Sequence, residues 1–395
     1  MSKIAVLAFS GGLDTSYCAK YYSKEEGLNI HAVLVNTGGF SPEELQEIER
    51  RAMALGVAKH VCLDISLEYY KKCIRYMIYG NILKNNTYPL SVSSERIFQA
   101  MALAKYAKEV GASSIIHGST GAGNDQVRFD LAFQVICPEI EIITPVRDKK
   151  LSREYEIEYL RNNGIDFDFK KAEYSINQGL WGTSIGGKET LHSSTTIPES
   201  AYPSQLKKTE PCDVELEFDK GELVALNGVL YKNPLEIIQK LGKLASQYAI
   251  GRGMHVGDTI IGIKGRVAFE AATPVIIIKA HHLLEKHNLT KWQLYWKEQL
   301  ANWYGMLLHE AQYQEPVMRD IEKFLKSTQE HVSGKVFVKL APYNFEVIGI
   351  ESKYDMMQAK FAQYGEMNTA FSGDDVKGFT KILANQIKLY NSVND

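Results

Sequence analysis

Ser10-Gly11-Gly12-Leu13-Asp14-Thr15-Ser16 packs two glycines, three hydroxyls and a carboxylate into seven residues, directly after the apolar run that ends in Ala8-Phe9. Glycines let a backbone turn tightly and aim its amide N–H groups at a ligand, and a helix that follows adds positive potential. Ser10, Thr15 and Ser16 add hydroxyl donors, and the set suits phosphate oxygens. Two glycines alone would signify a tight turn; the hydroxyls and Asp14 favour phosphate. The string is no Walker A loop, because no Gly-Lys-Ser/Thr follows at the required spacing, and it is not GxGxxG.

A second cluster is His117-Gly118-Ser119-Thr120-Gly121-Ala122-Gly123-Asn124-Asp125-Gln126-Val127-Arg128-Phe129. Three glycines in six residues imply a backbone that closely approaches something. Asn124, Asp125 and Arg128 then offer an amide, a carboxylate and a guanidinium within five positions. Arginine suits a carboxylate, aspartate an ammonium and asparagine either, so together they can fix an amino acid.

Both clusters need strands to hold them. Lys3–Phe9, Ile30–Val35, His60–Ile65, Ser113–His117 and Glu141–Pro145 are expected strands. Ser41-Pro42-Glu43-Glu44 starts a helix, with a capping serine, proline at the first position and glutamate at the third. Ser94–Val110 and Leu151–Asn163 are further helices. The alternation predicts an α/β doubly wound parallel sheet over residues 1–167. Each cluster would follow a strand, where such sheets bind ligands. An α+β domain is expected over 168–365. Its elements are a hairpin around Asp219-Lys220-Gly221, an Asn233–Ile250 helix, an Ile260–Ala268 strand, Trp292–Glu310 and Val317–His331 helices, and a Lys335–Ile350 hairpin. A C-terminal helical tail, 366–395, carries one helix from Asp374 to Tyr390.

The first loop resembles the SGGxDS/T-S pyrophosphate loop of ATP pyrophosphatases, which cleave ATP to AMP and pyrophosphate. With HGSTG and GNDQVRF added, the chain resembles the argininosuccinate synthases. The likeness continues through Tyr88-Pro89-Leu90, Leu226-Asn227-Gly228 and Thr328–Gly334. It implies a nucleotide-binding domain, a synthetase domain, and ATP, citrulline and aspartate as substrates. The citrulline ureido oxygen attacks the α-phosphate, giving a citrullyl-adenylate and pyrophosphate; the aspartate amine then displaces AMP. Matched residue by residue, the likeness implies ATP contacts at Ala8, Phe9, Ser10, Gly11, Gly12, Leu13, Asp14, Thr15, Ser16, Thr37 and Gly118. It implies aspartate contacts at Thr120, Asn124 and Asp125, and citrulline contacts at Tyr88, Ser93, Asn124, Arg128, Ser175 and Ser184. Arg96 matches a basic residue near the phosphates; with Asp125 it is the candidate catalytic pair. Asp14 is the candidate ligand for Mg²⁺ bridging the phosphates.

The chain departs from the family in several places. Ala122 replaces a lysine, Asn36-Thr37-Gly38-Gly39-Phe40 replaces Thr-Ala-Asp-hydrophobic-Gly, and Gly257 and Phe269 replace a citrulline-binding glutamate and tyrosine. Either Asp258 or Glu270 supplies the missing carboxylate, or the substrate is an N-acylated citrulline with no α-ammonium to pair. Another pyrophosphate-loop adenylating enzyme and a non-catalytic nucleotide-binding relative are the remaining readings.

Composition narrows the field. With 45 Lys+Arg against 47 Asp+Glu and a net charge of −2, there is no electrostatic footprint for nucleic acid. No apolar stretch is long enough to span a bilayer. Cys18, Cys62, Cys73, Cys137 and Cys212 are scattered, so the chain reads as cytoplasmic, without disulfide framework or zinc site. His281-His282 is expected on a helix surface, and Trp292, Trp296 and Trp303 in a core. Val376, Phe379, Leu383, Ile387 and Tyr390 line one side of the tail, with Ile382 flanking. A neighbouring subunit would cover them, and the resemblance implies a homotetramer with interlocking C-terminal helices.

Overall fold

The computed structural model describes residues 3–121, 123–166, 174–361, 364–365 and 370–394. The Ala122 departure and the expected domain boundaries near 168 and 366 lie outside the described residues.

The first half runs β1 (Ile4–Ala8), α1 (Leu13–Lys24), β2 (Asn29–Asn36), α2 (Pro42–Ala54), β3 (Lys59–Asp64), α3 (Ser66–Tyr69) and, after one π-helical turn, α4 (Arg75–Tyr79). It continues through α5 (Ser91–Glu109), β4 (Ser114–Ile116), α6 (Asp125–Ile136), β5 (Glu141–Ile143), α7 (Pro145–Asp148) and α8 (Arg153–Asn162). All five strands are parallel, in the order β3-β2-β1-β4-β5. The central strands β1, β2 and β4 are largely apolar and buried because both faces are covered, whereas the edge strands β3 and β5 are only partly buried. Leu7, Ile30 and Leu34 pack with Tyr17, Cys18 and Leu160 on one face; Val6, Val33 and Val35 pack with Leu103 and Phe133 on the other. The Ser41 hydroxyl accepts from the Glu44 amide at 3.2 Å and Glu44 accepts from the Ser41 amide at 2.8 Å. Such a cap contributes about 1 kcal/mol. Strand order reverses between β1 and β4, so the loops after these two strands face one crevice.

The second half runs β6 (Ser175–Gly179), β7 (Gly182–Gly186), β8 (Cys212–Asp219), β9 (Glu222–Leu226), β10 (Val229–Leu230), α9 (Pro234–Ala245), β11 (Arg252–Asp258) and β12 (Lys264–Glu270). Three helices follow, α10 (Ala272–Asn288), α11 (Lys291–His309) and α12 (Pro316–Ser327), then β13 (Gly334–Ala341), β14 (Asn344–Glu351), α13 (Gly373–Leu383) and α14 (Asn385–Asn394). The strands form two antiparallel sheets, β10-β9-β8-β13-β14 and β11-β12-β7-β6. Their main core takes in Tyr69, Ile74, Ile78 and Ile82 from the first half, tying the halves together. Among the described residues no helix is long and apolar enough to cross a membrane.

Several expectations are corrected. The Ile260–Ala268 strand starts only at Lys264, and its hairpin partner is β11. His281 is on a helix, α10, but fully buried, with its ring nitrogens 2.6 Å from Asn81 Oδ1 and 2.8 Å from Gln329 Oε1. Trp292, Trp296 and Trp303 are 63%, 59% and 57% exposed instead of packed in a core. The buried face of α11 is Ala301, Tyr304, Gly305 and Leu308. The tail forms two helices separated at Ala384, neither with a buried residue.

Candidate active site

The switch-point crevice widens into a cavity of about 880 Å³ between the parallel sheet and the β11-β12-β7-β6 sheet. Ala8, Phe9, Ser10, Gly12, Leu13, Asp14, Thr15, Thr37, Tyr88, Ser93, Arg96, Gly118, Thr120, Asn124, Asp125, Arg128, Ser175 and Ser184 all line it. Of the ATP, aspartate and citrulline contacts expected from the sequence, Gly11 and Ser16 do not. Gly11 is buried at φ +76° against Ile48, where it makes the turn. Ser16 points into the domain, its buried Oγ without a hydrogen-bond partner among the described residues.

The loop after β1 is held by its own hydroxyls. Ser10 Oγ accepts from the Gly12 amide at 3.4 Å, and Thr15 Oγ1 donates to the Gly12 carbonyl at 3.2 Å. Arg51 reaches the Gly11 carbonyl from α2 at 3.3 Å. The loop after β4 lies against it: a β-carbon on Gly118 would sit 2.9 Å from Asp14 Cβ. Gln126 braces the glycine segment by donating to the carbonyls of Gly121 at 2.6 Å and Gly123 at 3.2 Å.

Asp14 stands in the first turn of α1, partly open to the cavity. Behind it is the buried Glu156, its carboxyl pushed up to about 8 by burial and by the Asp14 charge. Asp14 is thus the one of the two carboxyls that faces the cavity beside the phosphate loop. Among the described residues no group of three or more His, Cys, Asp and Glu could hold a metal alone. That donor set fits Mg²⁺, which takes one or two carboxylates plus phosphate oxygens.

Asp125 is braced between two arginines, accepting from Arg96 Nε and Arg128 Nη1, each at 3.1 Å. These guanidiniums hold its carboxyl below the usual range against the opposing effect of burial. Arg96 also donates to Asn177 on β6 at 3.1 Å. Arg128 is buried, donates to the His309 carbonyl at 3.2 Å, and leaves its Nε without a hydrogen-bond partner among the described residues. Asn124 accepts from the Ile260 amide at 2.9 Å, fastening the β11–β12 turn to the glycine loop.

Ser175, Asn177 and Ser184 share one face of the β6–β7 hairpin, since Asn177 and Ser184 are cross-strand partners. The Tyr88 hydroxyl is 3.0 Å from Ser184 Oγ, and its ring stacks on His255 with centroids 5.3 Å apart. Gly257 lines the cavity two residues further along β11, where a β-carbon would sit 2.6 Å from His255 Nε2. His255 therefore fills the space a side chain at 257 would need, and burial keeps its imidazole pKa low. Phe269 is buried against Tyr88 and stays out of the cavity lining. Glu270 is committed to Arg252 at 3.2 Å, whereas Asp258 lines the cavity and pairs with Lys264 at 2.6 Å.

Asp258, offered in the sequence as a replacement carboxylate, lines the site, and so do Glu95, Asn177, His255 and His309, which the sequence did not single out. A lone histidine or glutamate carries no motif. Their roles come from strand register and helix packing.

Comparison with known proteins adds an independent line. The model of the arginosuccinate synthase N-terminal HUP domain matches residues 4–166, and that of the arginosuccinate synthase C-terminal domain matches residues 174–390. An argininosuccinate synthase of Dictyoglomus thermophilum is 38% identical over 387 residues, spanning 98% of this chain and 96% of that protein. The enzyme of the same name in Methanocaldococcus jannaschii is 36% identical over 393 residues, spanning 99% and 98%. That of Xanthomonas campestris is 37% identical over 405 residues, spanning 100% and 99%. With both halves matched and the two glycine loops meeting at one cavity, the chain belongs to the argininosuccinate synthase family.

Proposed function

We propose that the chain is an ATP-dependent, AMP-forming carbon–nitrogen ligase that joins citrulline to aspartate. The observation that carries this is the shared cavity. The phosphate loop lies at one end, the Ser175–Ser184 hairpin and Arg128 at the other, and Asp125 with Arg96 between. ATP sits with its β,γ-phosphates over Ser10–Thr15 and its α-phosphate toward Arg96. Mg²⁺ bound to those phosphates would be held by Asp14 and would offset their charge. Tyr88, Ser93, Ser175, Ser184 and Arg128 seat citrulline with its ureido oxygen in line with the α-phosphate. Thr120, Asn124 and Asp125 receive aspartate, whose amine displaces AMP. No covalent nucleophile is needed; alignment and charge placement supply the rate.

Free citrulline is the substrate this lining supports, with Asp258 supplying the carboxylate for its α-ammonium. Steady-state release of AMP and pyrophosphate should require both amino acids, citrulline alone giving at most one equivalent of pyrophosphate per site. In the same assay kcat/KM for citrulline should exceed that for N-acetylcitrulline by at least about tenfold, the effect of leaving one polar partner unmatched. A preference for the acylated compound would reverse the substrate assignment.

The exposed apolar side chains of the tail, Phe379, Leu383, Ile387 and Tyr390 among them, support a homotetramer in which tails embrace neighbouring subunits. The exposed Trp292, Trp296 and Trp303 offer a matching apolar face on α11. Deleting residues 374–395 should lower the mass measured by light scattering. A truncated protein with the full-length assembly state would contradict the arrangement.

A further inference from the structure

One buried group at the site has no part in the mechanism above. Glu95 lies beside Arg96 on α5, is 2% exposed, and lines the cavity. Its Oε1 has no hydrogen-bond partner among the described residues. Thr37 and the amides of Leu180 and Trp181 lie around the carboxyl. The carboxyl rests against the β6–β7 turn at Gly179, where any β-carbon would overlap it. The opposite side of that turn is equally close-packed. A β-carbon on Gly39 would lie 2.9 Å from the Gln178 carbonyl oxygen and from Gly179 Cα, and one on Gly38 would lie 3.3 Å from Leu180 Cβ.

The departure at Asn36–Phe40 therefore has a spatial counterpart. Gly38 and Gly39 admit the β6–β7 turn on one side, and Gly179 admits Glu95 on the other. The turn is sandwiched between the nucleotide-side loop and α5. Beyond it lie Asn177, which holds Arg96, and the two serines of the hairpin face.

We propose that Glu95 is a positioning residue for adenylation: its carboxyl, wedged between Thr37 and Gly179, fixes the β6–β7 turn and so sets Ser175, Asn177 and Ser184 at their distance from the phosphate loop. The proposal rests on the citrulline assignment of that hairpin. Glu95 acts as the neutral acid. Burial pushes its carboxyl up to about 8, against the pull of Arg96. The other ionisable groups around it are Tyr69 and Cys73 beneath, both raised above their usual values by burial, and Asp125, reached through Arg96. The β6–β7 turn and the Thr37–Gly39 loop bring no charge to it. Losing the proton at alkaline pH leaves a buried anion that competes with Asp125 and Asn177 for Arg96, loosening both contacts.

The test compares Glu95→Gln and Glu95→Ala with the wild type. Steady-state kinetics are measured from pH 6 to 9.5, and amide hydrogen exchange across residues 175–186 is measured without substrates. Glu95→Gln keeps the shape of the neutral acid. It should hold kcat within about threefold at pH 7 and abolish the fall in activity above about pH 8 that is expected of the wild type. Glu95→Ala should raise KM for citrulline at least about tenfold and speed exchange in the 178–182 turn. An alkaline limb in Glu95→Gln identical to that of the wild type would overturn the proposal. So would Glu95→Ala with unchanged exchange and KM values within about twofold. If Glu95→Ala does not fold, the pH profile of Glu95→Gln decides alone. Failure of the wild type to join citrulline to aspartate would count against the ligase assignment instead, and the exchange comparison would still report on Glu95.

Discussion

Asp125→Asn should lower kcat/KM for aspartate by about 10²-fold or more while leaving the fold intact. The carboxylate is the shared partner of Arg96 and Arg128, each at 3.1 Å. Asparagine keeps the shape but removes the charge, leaving Arg128 buried and uncompensated. Breaking a buried ion pair costs about 3–5 kcal/mol. The lower end applies here because Asp125 faces an open cavity where water screens it. That cost falls on stability; the loss in kcat/KM follows from the charged contact that Asp125 would make to the aspartate ammonium, worth about 1.5–3 kcal/mol, and at 1.36 kcal/mol per tenfold the upper value is roughly 10². The pH dependence has a definite sign. The arginines depress the folded-state pKa of Asp125. Its contribution to stability is therefore present above the unfolded value of about 3.9, and is lost as the pH falls through the lower folded value. Thermal melts should show that acid-side loss reduced in Asp125→Asn. An Asp125→Asn enzyme with kcat/KM near the wild-type value would show that the bridge between the arginines is dispensable.

The second large effect is expected at Gly118, where the two loops touch. An alanine β-carbon would lie 2.9 Å from Asp14 Cβ and 3.3 Å from its carbonyl carbon. Neither atom is the free end of a flexible side chain, so one loop must shift. Displacement of reacting groups by about 1 Å can cost about 10²-fold in rate. Gly118→Ala should therefore raise KM for ATP by at least about tenfold and reduce kcat, with a stability loss of only about 1–3 kcal/mol. Gly349→Ala is the control, since none of the described residues lies within 4 Å of its added carbon. Equal ATP KM values in the two variants would remove the argument that the loops must stay in contact.

What the sequence announced follows from local signals. The continuous apolar strands, the Ser41–Glu44 cap and the glycine loops are short-range features, and all stand where they were expected. β11 was missed because Gly253 and Gly257 weaken its strand signal; both are glycines because Phe269 and His255 occupy the space beside them. α10 gave no helical period because Ile276, Ile277 and Ile278 are all buried, leaving no polar face over that turn. The segment from Ser66 to Tyr79 was hidden by its π-helical turn, which shifts the phase of the apolar side chains. The tryptophans of α11 show the opposite limit: an aromatic stripe has the same spacing whether it faces a core or the surface. The partners of Glu95 and Asp125 on β6 and α5 are distant in sequence, and only tertiary packing brings them together.

The central claim is that citrulline is activated by its ureido oxygen at the α-phosphate, within the cavity shared by both loops. Turnover with ATP, aspartate and citrulline labelled with oxygen-18 in the ureido group tests it directly. Displacement of AMP by the aspartate amine breaks the bond between the ureido carbon and that oxygen, so the label should be recovered in AMP and not in pyrophosphate. Unlabelled AMP alongside product, or release of ADP and phosphate instead of AMP and pyrophosphate, would contradict the account.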